Sequence, residues 1–474
     1  MSKKVIIIGA GISGLVSGIY CLKNGFDVCI YEKNSFSGGL LVNSIQKNSY
    51  NDSFNYFIYN DELKFLYDDI GLNDIQFEES EYYLEYNGIY LYKDLKKLEE
   101  ELISLSQFDI KKVKTFIKAI QEAQKCKLLY DKAIDCMSFF EMIKNSTKMN
   151  TNNKIYKKYK GISISKYFSD FHSNEIKSLF QFLPEDTSMY VLLFLLAKYT
   201  DGSMKKLSIS SKEMINLIEK KFIELGGKIE FNKSATSIDI KSSKVLGVWF
   251  NEKHYVNADI VIGALDANHF YNDLLKSKYK DRKFELMKED YKTYPMYSLL
   301  NFNFNIKGDI DDLSYMFMID VNRNKFATSI INKLVFTKRK NNIITCNILQ
   351  SNEDYIYWKL LSKNPSVYNK ELNKLVAVVR EELKKHLENV YGKQYKIKDM
   401  DCNTLLDYEE KYNAFKSCIY SFGFNKNASS FSFDGRVAEV RNLYYTGQWL
   451  SNPGGYLNAI INAYYVSDRI KNDN

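Results

Sequence analysis

The chain has 474 residues, more than one ordinary core accommodates, and its 45% hydrophobic and 15% aromatic content points to two intimately connected globular domains. Lys and Arg (66) exceed Asp and Glu (58) by eight, an excess that suits phosphates or an anionic surface but falls short of a nucleic-acid-binding composition, so no nucleic acid partner is expected. Seven cysteines without CxxC or paired spacing and four histidines without an HExxH or HxH arrangement exclude disulfide and metal frameworks, and a reducing cytoplasm is the expected setting.

Residues 5–8 are a β-branched run fit for a buried parallel strand, and they lead directly into Gly9, Gly11 and Gly14 in GxGxxG spacing. Gly9 permits a tight turn, Gly11 lets a diphosphate approach the backbone, and Gly14 lets the next helix pack closely on the sheet. A helix over residues 12–24 aims its free N–H groups at the phosphates. Residues 27–31 read as a second strand, with Glu32 at its end placed to accept hydrogen bonds from both ribose hydroxyls of an adenosine. The uncharged run 5–22 could pass for a signal or membrane helix, but four glycines and two serines argue against it. The pair Gly38-Gly39 permits a second close approach of backbone to ligand, which suits FAD better than NAD.

Residues 61–72 and 95–143 carry an amphipathic helical pattern, with Ile110, Val113, Phe116, Ile117 and Ile120 at helical spacing. Residues 144–160 are polar and basic and read as a linker or exposed loop that could touch lipid headgroups. Residues 165–183 and 188–198 look helical. The run 189–198 is strongly apolar but too short to span a bilayer. A helix over 212–225 closed by Gly226-Gly227, strands at 228–231, 237–240 and 245–250, and an apolar strand at 258–264 return to the α/β pattern, which makes the helical block an insertion. Strand-like alternation at 294–306, 313–320 and 343–350, followed by a helix over 372–391, suggests an antiparallel sheet with a helix on one face, able to roof a ligand. At the far end a strand over 443–446, Gly447, the pair Gly454-Gly455 and an apolar helix repeat the strand, glycine loop and helix N-terminus.

With both ends read, the chain resembles the FAD-dependent phytoene desaturase, carotenoid isomerase and retinol saturase group within the amine-oxidase-like flavoproteins. The resemblance covers nearly the whole chain and rests on residues 5–14 with Glu32, on Gly38-Gly39, on 52–57, on 244–248 with 258–262, and on 442–463. It implies that Gly9, Gly11, Ser13 and Gly14 hold the FAD diphosphate, that Glu32 holds the adenosine ribose, and that Lys33 is among the cofactor-binding residues. It further puts Gly39 and Leu40 beside the cofactor, Ala235 near adenine, and Gly447, Gln448, Gly455 and Leu457 along the ribityl chain and the flavin ring. Tyr56 and Tyr456 flank the implied flavin region as substrate-side candidates, with core stacking as their alternative role. The chain departs from relatives in having Gly39-Leu40 where Gly-Gly-Arg is common, and Ile209-Ser-Ser where a Gly-Gly-Ser turn is common.

The expected fold is α/β. A Rossmann-type FAD-binding domain (1–75, 201–285, 416–474) is interrupted by a mainly helical insertion (76–200) and an α+β substrate domain with an antiparallel sheet (286–415). The implied activity is FAD-dependent desaturation, saturation or isomerisation at carbon–carbon bonds of a long unsaturated isoprenoid or polyene in an apolar tunnel. A flavin amine oxidase, or a flavin-bound lipid-binding protein without turnover, are the alternatives. No catalytic acid or base and no metal ligand is assigned, and peripheral membrane contact stays open.

Overall fold

Val5, Ile6, Ile7 and Ile8 are all buried, as a strand covered on both faces requires. They belong to β1 (Lys4–Ile8), the middle of a five-stranded parallel sheet in the computed structural model, which describes residues 2–46, 49–52, 56–308, 310–392 and 395–474. On one side of β1 lie β2 (Asp27–Tyr31) and then β3 (Lys228–Glu230); on the other lie β4 (Ile260–Gly263) and then β5 (Leu443–Tyr445). Every pairing in this sheet is parallel. Helices α1 (Ile12–Lys23), α2 (Ser211–Glu224) and α3 (Tyr456–Asp473) cover it, with α1 packed against both others. Segments hundreds of residues apart therefore complete one sheet, and the intervening chain forms a second region.

That region is built on a seven-stranded sheet. Its order is Lys396–Asn403, Ser298–Lys307, Ile343–Gln350, Ser329–Arg339, Met316–Phe326, Tyr82–Tyr86, Ile89–Tyr92. All its pairings are antiparallel except that between Met316–Phe326 and Tyr82–Tyr86. One face packs Leu300, Phe302, Phe304, Phe336 and Ile344 against Leu375, Val379, Leu383 and Leu387 of the helix Pro365–Tyr391. The period-two alternation sends Leu299, Asn301 and Asn303 to the opposite face. A helical layer including Ile110–Gln124 and Met189–Thr200 has its own core of Val113, Phe116, Ile120, Leu192, Leu193 and Leu196.

Several segments differ from the sequence expectation. Residues 144–160, expected as an exposed linker, lie in the helices Phe139–Lys148 and Asn150–Tyr159. A capping box between Ser138 and Glu141 starts the first, and burial of Ile155 and Tyr159 anchors the second, so few apolar residues suffice. The 95–143 pattern is broken into Leu95–Leu105, Ile110–Gln124 and the start of Phe139–Lys148. The largely helical stretch 76–200 also supplies the hairpin Tyr82–Tyr86 and Ile89–Tyr92, turned by Asn87 (φ 51) and Gly88 (φ 78), an Asn-Gly turn signal. Strands His254–Asn257, Ser329–Arg339 and Lys396–Asn403 and the helix Asn352–Leu361 add to the elements read from sequence. Of the block at 52–57, residues 53–55 lie outside the described residues.

Candidate cofactor and substrate site

Parallel strands end together, and a cavity of about 730 Å³ opens at their carboxyl ends, lined there by Ile8, Tyr31, Ala264 and Tyr445. Gly9 leaves β1 at φ +105, and a Cβ on it would stand 2.6 Å from the Ala264 carbonyl oxygen, so only glycine makes this turn. Gly14 does not line the cavity. A Cβ there would stand 2.0 Å from the Gly9 carbonyl oxygen, so its role is the close seating of α1 on the loop. Gly11 does line the cavity, and among the described residues nothing lies within 4 Å of where its Cβ would be. As N-cap of α1 it contributes no side-chain cap, which leaves first-turn N–H groups available to an anion. Gly38 donates its N–H to the Ala10 carbonyl (2.9 Å), and a Cβ on Gly39 would stand 3.4 Å from the Gly11 Cα, so the two loops lie side by side.

Glu32 is buried at the end of β2. Its Oε2 accepts the Ala10 N–H (2.8 Å) and its Oε1 accepts the Asn34 N–H (2.9 Å), which fixes the carboxylate beside the glycine turn. Lys33 is half-buried and donates to Asn413 Oδ1 (3.0 Å); burial lowers its pKa, with Glu32 opposing the shift. Ala235, Leu40 and Ser13 line the same cavity.

The C-terminal loop closes it. Gln448 Oε1 accepts the Gly455 N–H (3.1 Å), Gln448 Nε2 donates to the Ile419 carbonyl (3.2 Å), and Asn462 Nδ2 donates to the Gly447 carbonyl (2.9 Å). Gly455 caps α3 without a side-chain hydrogen bond. Gly447, Gln448, Gly455 and Leu457 line the cavity, and a Cβ on Gly447 would come within 3.8 Å of Ser13 Oγ. The first and last glycine loops of the chain are therefore neighbours. Two helix N-termini without side-chain caps, an open cradle at Gly11, and the buried Thr446 hydroxyl, which has no partner among the described residues, fit a dinucleotide cofactor.

Beyond the loops the cavity is walled by rings, among them Tyr56, Tyr83, Tyr190, Phe194, Tyr420 and Tyr456. Tyr56 stacks on Tyr83 (centroids 4.9 Å apart) and donates its hydroxyl to the Tyr83 carbonyl (3.2 Å). Tyr456 stacks on Phe57 (5.1 Å), and its hydroxyl accepts the Ile58 N–H (2.6 Å). Both sequence candidates thus face the cavity and also serve the core. Burial pushes both phenols far up, so they stay protonated as neutral ring walls.

Three cavity residues were not read from the sequence. Asp266 follows β4 and accepts N–H groups of Asn268 (2.9 Å), His269 (3.2 Å) and Phe415 (3.1 Å); burial pushes its carboxyl up to about 6 against those donors. Its position just past the end of a central parallel strand was the available signal. Asn301 and Asn347 bring amides to the wall formed by the seven-stranded sheet, so the expected apolar tunnel has a polar side. Only strand register shows that pairing.

Residues 7–60 match the family of NAD(P)-binding Rossmann-like domains. Over its full length the chain is 23% identical to a 1-hydroxycarotenoid 3,4-desaturase of Flavobacterium sp. (strain P99-3), covering 100% of both proteins. It is 21% identical to a 4,4'-diaponeurosporene oxygenase of Staphylococcus haemolyticus (strain JCSC1435), covering 99% of this chain and 97% of the relative. Among solved structures, an oxidoreductase from Methanosarcina mazei shares the fold with a TM-score of 0.59 at 14% identity, over 97% of this chain and 98% of the other. With a Rossmann-type core whose two ends meet in one cavity, the chain is similar from end to end to these carotenoid-acting relatives and shares the fold of flavoprotein oxidoreductases.

Proposed function

We propose that the chain binds FAD across the two glycine loops and acts on a carbon–carbon bond of a long polyene held between the aromatic walls. The observation that carries this reading is the meeting of the Gly9–Gly14 and Gly447–Gly455 loops in one cavity that continues past them between rings. When bound, FAD supplies the hydride- or electron-accepting chemistry. The first turn of α1 and Gly11 receive the diphosphate, Glu32 receives the adenosine ribose, and the N-terminus of α3 faces a polar edge of the flavin. Tyr56, Tyr83, Tyr420 and Tyr456 exclude water and hold an extended unsaturated chain, and their protonated phenols bring no charge into the cavity.

Anaerobic mixing of FAD-loaded protein with acyclic polyenes tests the activity. Bleaching of the oxidised flavin band by a polyene, or its return when chemically reduced protein meets a more unsaturated one, is the expected result. Bleaching by amines alone, or by neither class, contradicts the reading.

The same reading extends to a lipid surface. Phe139 and Phe140 are 67% and 82% exposed, and Met142, Ile143 and Ile134 are exposed beside them in sequence. Lys144, Lys154, Lys157 and Lys158 are also exposed on these two helices. Asn152 of the second helix and Lys127, which donates its N–H to Asn152 Oδ1 (2.9 Å), line the cavity. Exposed apolar side chains and lysines on two consecutive helices, the second of which reaches the cavity at Asn152, suit docking on an anionic bilayer, from which an apolar substrate enters. No helix among the described residues is long and apolar enough to cross a membrane, so attachment by this route is peripheral. Each buried phenylalanine contributes roughly 1.5–3 kcal/mol. The double substitution F139S/F140S therefore lowers cosedimentation with phosphatidylglycerol-containing vesicles at least ~tenfold. Unchanged cosedimentation would remove this face from the account.

A further inference from the structure

The face of the seven-stranded sheet that meets the cavity carries a row of buried amides. Register sets it: Asn303 lies opposite Thr345, and Asn301 lies opposite Asn347 on one side and Asn403 on the other. Asn301, Asn303, Thr345 and Asn403 are all buried. Burying a polar group is costly unless it is hydrogen-bonded, and these are bonded in a directed chain. The Thr345 hydroxyl donates to Asn303 Oδ1 (2.8 Å), Asn303 Nδ2 donates to Asn301 Oδ1 (2.7 Å), and Asn301 Nδ2 donates to Asn347 Oδ1 (2.7 Å). Asn403 Nδ2 also donates to Asn301 Oδ1 (3.2 Å), which strengthens the polarisation in the same sense. The chain ends on Asn347, which is half-buried and lines the cavity, and whose Nδ2 has no partner among the described residues. Leu299, Ile419 and other apolar side chains line the same cavity.

We propose that Asn347, held by Asn301, is a specificity site that donates a hydrogen bond to an oxygen function, a hydroxyl or a carbonyl, on an otherwise apolar polyene. A donor at the end of a polarised relay, in a wall of leucine, isoleucine and tyrosine, costs desolvation unless a ligand oxygen meets it. An all-hydrocarbon ligand leaves it unpaired. The cavity therefore discriminates by end group as well as by length and shape.

This rests on the polyene reading above, and the test separates the two. FAD-loaded protein is titrated with lycopene, with its terminally hydroxylated derivative and with the corresponding aldehyde, with perturbation of the flavin absorbance as the readout. Wild type binds both oxygenated forms about tenfold more tightly than the hydrocarbon. Asn347→Leu brings the three affinities to within about twofold. Asn347→Asp still accepts from Asn301 but has no donor, so it keeps the preference for the hydroxyl, which can donate to it, and loses about tenfold for the aldehyde. Equal binding of hydrocarbon and oxygenated forms by wild type overturns the amide assignment alone. So do variants with shifted flavin bands and unchanged preference, which would turn the amide toward the cofactor. Absence of any perturbation by all three ligands overturns this proposal and the polyene reading together.

Discussion

Gly11→Leu yields a folded protein that does not retain flavin. Gly11 sits at φ −70 and ψ 175, ordinary extended backbone that leucine adopts without strain, and no atom of the described residues lies within 4 Å of where its Cβ would be. The apo fold therefore tolerates the side chain. The space it fills is the cradle in front of α1, where a diphosphate must reach the free N–H groups, so the leucine keeps the anion away from its donors. Loss of that contact weakens FAD at least ~100-fold, equivalent to about 2.7 kcal/mol. Thermal unfolding of the FAD-free protein at the wild-type midpoint, together with a colourless preparation after desalting, is the expected pair of results. Wild-type flavin retention by this variant would show that the cofactor does not pass Gly11.

Gly14→Ala has the opposite character, with one methyl group disrupting the fold. The added Cβ would lie 2.0 Å from the Gly9 carbonyl oxygen, 3.2 Å from the Gly9 carbonyl carbon and 3.3 Å from the Ala264 Cβ. The two Gly9 atoms are backbone, so no rotamer change relieves the overlap. Helix α1 must lift from the loop, and its buried residues Ile12, Leu15, Val16 and Ile19 lose their seating on the sheet. Overpacking of this kind costs typically 1–3 kcal/mol and more where backbone must shift, against a total stability of about 5–15 kcal/mol. A thermal midpoint about 5–10 °C below wild type and a sharply reduced soluble yield are expected. An unchanged midpoint would mean that the helix does not rest on the glycine turn.

The contrast between these two glycines shows what the sequence makes legible. A parallel strand covered on both faces reads as an unbroken apolar run, so residues 5–8 and 258–264 announced β1 and β4, and the GxGxxG spacing reported a close approach whose two mechanical parts the structure separates. Other features were harder to read. Asn87-Gly88 was a strong hairpin signal hidden in a stretch dominated by helical periodicity, and it carries Tyr82–Tyr86 across to the distant strand Met316–Phe326. The helices Phe139–Lys148 and Asn150–Tyr159 resemble a linker because their sequence is mostly polar, and they are held by a capping box, a few buried residues such as Asn145, Ile155 and Tyr159, and polar contacts from Asn145, Lys148 and Asn152. Asparagines 301, 303 and 347 lie in segments whose alternation already read as strands, but the bonding of their amides to one another did not show in the sequence. No sequence periodicity reports such a pairing, because it depends on register between strands more than forty residues apart.

A crystal structure of the FAD-saturated protein tests the central claim most directly. One FAD per chain is expected, with its diphosphate against Gly11 and the first turn of α1, its adenosine ribose on Glu32, and its ring system beside Gly455 at the start of α3. An FAD bound at only one of the two glycine loops, or a cavity that stays empty at saturating FAD, would contradict it.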